Sequence, residues 1–83
     1  MTAAFTVLVS PACPACAGAR AITEYVAEHV GAAVHVVDVT TVTGPLPDGY
    51  VGTPMVYVAD TVVSYGTPTA GELVTAYRRE AHR

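Results

Sequence analysis

The pattern of apolar and polar positions in the first third of the chain predicts a strand followed by a helix. Phe5–Val9 is a short apolar run, rich in β-branched residues, that ends at Ser10-Pro11 and is typical of a buried strand. Pro14 stands where a helix is expected to begin, because proline is well tolerated at the first helical position. Gly31 is expected to end this helix. Apolar residues at helical spacing are Ala19, Ile22, Val26 and Val30.

The middle of the chain has the pattern of a strand, a loop and a hairpin. Val34–Val39 is a second strand, and its connection through a helix predicts a parallel, right-handed βαβ unit. Thr40–Gly52 has little apolar periodicity and several Gly and Pro residues, which predicts a loop with at most one helical turn. Met55–Ala59 and Val62–Tyr65 are two strands separated by a short turn around Asp60, as in a β-hairpin.

A capping box marks the start of the last helix. Thr69 is the cap and Glu72 follows three residues later, the spacing at which each side chain accepts a hydrogen bond from the backbone N–H of the other. An apolar stripe in the stretch Glu72–His82 is formed by Leu73, Ala76, Tyr77 and Ala81. The order of elements predicts a single α/β domain over residues 1–83, with helices packed on a mixed sheet of about four strands.

The composition narrows the classes of function. Of the 83 residues, 52% are hydrophobic and 13% are charged, which is the opposite of the balance in disordered chains. Polar residues interrupt every apolar run before it reaches the roughly 20 residues of a membrane-spanning helix. The net charge of −3 disfavours binding to nucleic-acid phosphates. Read as a complete chain, the N-terminus lacks the parts of a secretory signal, so we expect a cytoplasmic protein that binds neither membrane nor nucleic acid.

Two cysteines carry the candidate chemistry. Cys13 and Cys16, separated by Pro14 and Ala15, lie where the first strand passes into the first helix. Residues three apart on a helical turn lie about 5–6 Å from each other, within the range that a disulfide spans. Helix N–H groups and the positive end of the helix dipole face Cys13 and stabilise its thiolate. We therefore predict a redox pair in which Cys13 attacks and Cys16, one turn inside the helix, resolves.

Metal binding is an alternative interpretation that remains open for this cysteine pair. Two thiolates suit a soft metal, so the chain can be read as a metal-binding or metal-delivery protein that uses Cys13 and Cys16. An iron–sulfur cluster shared between two subunits is a further alternative. A four-ligand zinc site is disfavoured, because none of the three histidines has a ligand-like spacing from the cysteines. The redox interpretation itself requires no metal and no cofactor beyond the cysteine pair.

The dipeptide Thr53-Pro54 lies before the predicted hairpin and, together with the cysteine motif, indicates a resemblance to a known family. Proline has no backbone N–H to donate to the hydrogen-bond ladder of a central strand, and it favours an extended conformation in the residue before it. The chain resembles the thioredoxin superfamily over nearly its whole length. The resemblance rests on a Cys-Pro-Ala-Cys motif after the first strand, Thr53-Pro54 before the hairpin and Tyr65-Gly66 at the end of the hairpin. Among its members, glutaredoxins and small thioredoxin-like thiol–disulfide oxidoreductases are the most similar.

The resemblance implies a fold, a reaction and a set of site residues. The fold is thioredoxin-like, and the reaction is the reduction of protein disulfides by dithiol exchange, an electron-transport role. In the family, the matching proline is cis, and the backbone of the residue before it pairs with the substrate chain. The residues implied in substrate binding are Pro14, Thr53, Pro54 and Gly66. The implied partners are protein disulfides and an electron donor, either a reductase or a low-molecular-weight thiol, and we expect a monomer.

The chain departs from the family pattern at positions that concern proton transfer and the electron donor. Val7 occupies the place of the buried acid of thioredoxins. Ser10 and the stretch 66–70 stand where glutaredoxins have a basic residue and an acidic pair that bind glutathione, and only Arg20 near the motif can meet a carboxylate. The helix usual before the cis-proline is reduced to the Thr40–Gly52 loop. The sequence therefore leaves open whether glutathione or a reductase is the donor.

Overall fold

A computed structural model describes residues 3–82, so Met1, Thr2 and Arg83 of the predicted domain lie outside the described residues. The elements follow the predicted order of strand, helix, strand, hairpin and helix. Their bounds are β1 Phe5–Val9, α1 Cys16–Val30, β2 Val34–Asp38, β3 Met55–Val58, β4 Thr61–Tyr65 and α2 Ala70–Ala81. Neither helix is long and apolar enough, over the described residues, to cross a membrane.

The strands form one mixed sheet in the order β2-β1-β3-β4. The β1 strand is central and pairs in parallel with β2, beginning with Phe5 opposite Val34. It pairs antiparallel with β3, and this ladder ends at Leu8 opposite Met55. The predicted mixed α/β sheet is confirmed, and its topology brings the carboxyl end of β1 beside the amino end of β3.

The first helix begins two residues later than the sequence predicts. Pro14 was expected at the first helical position, but α1 begins at Cys16 with Ala15 as its N-cap. The cause is a local turn: the Cys16 N–H donates to the Cys13 carbonyl at 3.2 Å, and the first helical bond runs only from the Ala19 N–H to the Ala15 carbonyl. Cys16 is therefore the first residue of α1 instead of lying one turn inside it.

Two short connections use the left-handed backbone region. Gly31 ends α1 with a φ of 74°, as the sequence predicts. The predicted hairpin forms with each inner boundary shifted by one residue, since β3 ends at Val58 and β4 begins at Thr61. Ala59, the first turn residue, has a φ of 53°, which a two-residue turn between twisted strands requires.

Both helices pack on one face of the sheet, where they enclose the larger part of the core. The buried residues of this cluster are Phe5, Val7, Val26, Ala27, Val56, Val58 and Leu73. The Tyr77 ring of α2 stacks on Phe5 with ring centroids 5.7 Å apart. The predicted capping box forms: the Glu72 N–H donates to the Thr69 hydroxyl at 3.1 Å, and the Thr69 N–H donates to the Glu72 carboxylate at 2.9 Å.

A loop covers the opposite face of the sheet. Leu8, Met55 and Tyr57 are buried there. The Tyr57 hydroxyl donates to the Asp48 carbonyl at 3.1 Å, which ties the loop to the sheet. Burial, together with the nearby charge of Asp48, raises the pKa of this hydroxyl above its ordinary value of 10.0, so it stays protonated and able to donate. The predicted loop over Thr40–Gly52 is confirmed, and it contains turns but no helix.

Candidate active site

The cysteine motif occupies the connection between β1 and α1. Val9 is the last residue of β1, and Cys16 is the first residue of α1. Cys13 and Cys16 are joined by a disulfide, with their Cα atoms 5.4 Å apart. The motif is therefore held at one end by the central strand of the sheet and at the other by the longer helix.

The two cysteines differ in their exposure to solvent. Cys16 is buried, with 6% of its surface exposed, because α1 packs its first residue against the interior. Cys13 is half-buried in the turn before the helix, and Pro14 and Ala15 beside it are exposed. Cys13 is therefore the more solvent-accessible of the two cysteines, and its role as the attacking thiol stays a prediction.

The start of α1 is electrostatically suited to a thiolate. Ala15, the N-cap, offers no side-chain acceptor, and the first turn of α1 contains no acidic residue. The amide N–H groups and the positive dipole end of α1 are thus not neutralised from within the helix. Cys13 lies in the turn that leads into this end of the helix and its carbonyl accepts from the Cys16 N–H, so its thiolate is expected to be stabilised there once the disulfide is reduced.

The Thr53-Pro54 segment lies beside the end of β1. The peptide bond between these residues is cis, and Pro54 is buried. The hydroxyls of Ser10 and Thr53 share a hydrogen bond of 2.8 Å. On the other side, the Gly66 N–H donates to the Pro54 carbonyl at 2.8 Å. The segments that carry the cysteine motif, Thr53-Pro54 and Gly66 therefore meet at one end of the sheet.

An exposed apolar rim, formed by Val51 and Tyr65, borders this end of the sheet. Val51 is 69% exposed and Tyr65 is 63% exposed. The Tyr65 ring lies over Gly52, where an added Cβ would come within 2.9 Å of the Tyr65 hydroxyl. The sequence pattern placed Tyr65 at the end of the hairpin and gave no sign that Val51 and Gly52 lie beside it. Their proximity joins the loop to the end of β4, and no local pattern reveals such a contact.

A comparison with known families covers nearly all of these elements. Residues 3–77 match the family model described as the thioredoxin domain, from before β1 into α2. The chain belongs to the thioredoxin family. The predicted superfamily membership and thioredoxin-like fold are thereby confirmed. A search of curated proteins found no match to the chain.

In this member of the thioredoxin family, residue 7 of the central strand is apolar and belongs to the core cluster between the helices and the sheet. Val7, at the place of the thioredoxin acid, is fully buried in the cluster that includes Val26 and Leu73. Its side chain can neither take up nor release a proton. Proton transfer to and from Cys16 must therefore involve water or a group other than residue 7.

Charged groups are absent from the segments that form the candidate site. Segments 10–16, 49–54 and 65–67 contain no charged residue. Arg20, the basic residue nearest the motif, pairs with Glu24 at 3.4 Å on the exposed surface of α1. An exposed pair of this kind is worth little energetically, so Arg20 is not rigidly held in place. The described residues of these segments thus offer no preformed clamp for the carboxylates of glutathione.

Alternative sites elsewhere in the described residues offer less chemistry. Residues 3–82 contain no group of three or more His, Cys, Asp or Glu side chains placed to hold a metal ion. His29 packs against Tyr25 with ring centroids 4.8 Å apart. A groove of about 420 Å³ lies between β4 and α2, away from the cysteines and Pro54. Disulfide exchange needs an accessible sulfur rather than an enclosed cavity, so the cysteine pair remains the candidate site.

Proposed function

We propose that this protein is a thiol–disulfide oxidoreductase that reduces disulfides of protein substrates by dithiol exchange. The observation that carries the proposal is the Cys13–Cys16 disulfide at the start of α1, with Cys13 accessible and Cys16 buried. Membership of the thioredoxin family supports redox chemistry at this pair. The cysteine pair is the only redox group that the reaction requires.

The proposed reaction proceeds through two exchanges that balance in electrons and protons. The Cys13 thiolate attacks one sulfur of a substrate disulfide, forms a mixed disulfide and releases the other substrate sulfur as a thiolate. The Cys16 thiolate then attacks the Cys13 sulfur, forms the Cys13–Cys16 disulfide and releases the second substrate sulfur. Two electrons pass to the substrate, and the two thiol protons of the pair end on its two sulfurs through water. A reductase or a low-molecular-weight thiol then returns the pair to the dithiol form.

An extended segment of a substrate protein fits the surface beside Cys13. Within residues 3–82, no hydrogen bond engages the backbone N–H or C=O of Thr53, so both groups can pair with a substrate strand. Val51 and Tyr65 of the apolar rim add exposed apolar surface next to it. Pro14, Pro54 and Gly66 are the remaining residues that we assign to substrate binding.

A turnover assay with a disulfide-bonded protein tests this proposal. We expect the protein to accelerate reduction of the substrate when a thioredoxin reductase supplies electrons, and to accelerate it less when glutathione does. Because the site segments carry no charge, added salt should change the rate by less than about twofold. The control is the Cys13→Ser/Cys16→Ser double variant, which keeps the surface and lacks the redox pair.

The same preparation distinguishes the metal-binding alternative. The reduced protein is titrated anaerobically with copper(I) and with zinc(II), the ions that a pair of thiolates would bind. Tight stoichiometric metal binding without any acceleration of disulfide reduction would contradict the oxidoreductase proposal. We expect catalysed reduction by the wild type and none by the double variant.

The roles of the two cysteines predict a difference in their reactivity. In the reduced protein, Cys13 should react fast with iodoacetamide, and the pH midpoint of its reaction should lie below the value of about 8.5 of a free cysteine. The physical reasons are its exposure and its position before the N-terminus of α1. Cys13→Ser should remove the fast phase and Cys16→Ser should retain it. A fast phase that survives Cys13→Ser would reverse the assignment.

A further inference from the structure

The strand pair β1–β3 loses its backbone ladder at the point where the candidate site begins. The last pair in register is Leu8 opposite Met55. Pro54, the residue before Met55, has no N–H to donate to a neighbouring strand. Two positions beyond the last pair, Ser10 and Thr53 face each other and their hydroxyls bond at 2.8 Å. A side-chain hydrogen bond thus connects the two chain segments where the backbone ladder has ended.

We propose that Ser10 and Thr53 form a hydroxyl clamp that positions the backbone of Thr53 for substrate pairing relative to Cys13. The inference rests on the proposed function, because it concerns the docking of the same protein substrate. Ser10 leads directly into the motif loop, while Thr53 carries the backbone groups that a substrate strand meets. The clamp therefore links the attacking thiol to the surface that presents the substrate disulfide.

The contacts on the other side of Thr53 make the clamp effective. The Gly66 N–H holds the Pro54 carbonyl at 2.8 Å, so the segment is attached to β4 on one side and to the end of β1 on the other. Both clamp residues are half-buried, which reduces competition from water for their hydroxyls. If the clamp is lost, Pro54 keeps its bond to Gly66 and Met55 keeps its pairing with β1, but no side-chain bond holds Thr53 itself to the end of β1. Ser10 is thus a positioning residue that acts through Thr53 and not on the sulfur.

A double-mutant cycle with two kinetic readouts tests the clamp. The variants are Ser10→Ala, Thr53→Val and the double variant, and each removes the same single hydrogen bond. We expect each to raise KM for the protein substrate by a factor on the order of five, with a smaller change in kcat, because one net hydrogen bond is lost. The double variant should be no worse than either single variant, since the bond is lost only once. Ser10→Thr, which keeps a hydroxyl, should restore the wild-type KM.

The rate of Cys13 alkylation by iodoacetamide separates positioning from an effect on the thiol. In all clamp variants we expect this rate to stay within about twofold of wild type, because the clamp does not contact the sulfur. A parallel fall in alkylation rate would overturn the positioning role, as would single-variant effects that simply add in the double variant. If the wild type is active and the variants have the same KM as the wild type, the clamp is overturned and the proposed function stands. A wild type that reduces no protein disulfide overturns the proposed function together with the clamp.

Discussion

Cys16→Ser is expected to convert the protein into a covalent trap for its substrates. The variant retains the accessible Cys13, so the first exchange proceeds and a mixed disulfide forms. The residue that would release the substrate is gone, and serine cannot displace a sulfur from a disulfide. Repeated turnover should fall by roughly a hundredfold or more, as when a member of a catalytic unit is removed.

Non-reducing electrophoresis and mass spectrometry measure the trapped species. The Cys16→Ser protein should recover disulfide-linked proteins that dithiothreitol releases, with the link at Cys13. The matched control is Cys13→Ser, whose remaining cysteine is buried and 6% exposed in the native fold, so it should trap far less. Repeated turnover by Cys16→Ser at the wild-type rate would point to a monothiol cycle assisted by glutathione and would contradict dithiol exchange.

Val7→Asp is expected to destabilise the folded protein strongly, although it introduces the acid that thioredoxins have at this place. Val7 is fully buried in the cluster with Val26, Val56 and Leu73. These neighbours offer no donor or cation to a carboxylate. The cost at neutral pH should be on the order of 3–5 kcal/mol in the free energy of unfolding, the range for an uncompensated buried charge.

The pH dependence of this loss follows from the direction of the pKa shift. Burial raises the pKa of the introduced carboxyl in the folded protein, while the unfolded chain keeps a value of about 3.9. As the pH rises above that unfolded value, the unfolded state ionises first, so the variant loses stability until the folded pKa is reached. The variant should therefore be more stable, relative to wild type, at pH 4 than at pH 7.

Urea unfolding at both pH values measures this effect. Val7→Thr is the matched control, because it introduces a polar atom of similar size that does not titrate. Its loss of stability should be the same at pH 4 and pH 7. A Val7→Asp protein as stable as Val7→Thr at pH 7 would show that the core around residue 7 accommodates an acid, and the expected cost of an uncompensated buried charge there would be wrong.

Local features of the sequence determined most of the secondary structure and the identity of the cysteine pair. The capping box at Thr69 and Glu72 and the end of α1 at Gly31 form as predicted, because both depend on hydrogen bonds between residues that are close in sequence. The pairing of Cys13 and Cys16 is local too, because the single turn closed by the Cys16 N–H and the Cys13 carbonyl brings residues three apart within disulfide reach, although α1 begins later than predicted. These local features are therefore determined by residues that are close together in the sequence.

Tertiary structure decided which parts of the chain meet at those cysteines and how exposed each sulfur is. The Ser10–Thr53 bond exists because β1 and β3 pair in one register, and a different register would separate the two hydroxyls. The burial of Cys16 depends on how α1 packs against the sheet, and the contact of Tyr65 with Gly52 depends on the path of the loop. These are contacts between residues far apart in sequence, and only the packing of the whole chain brings them together.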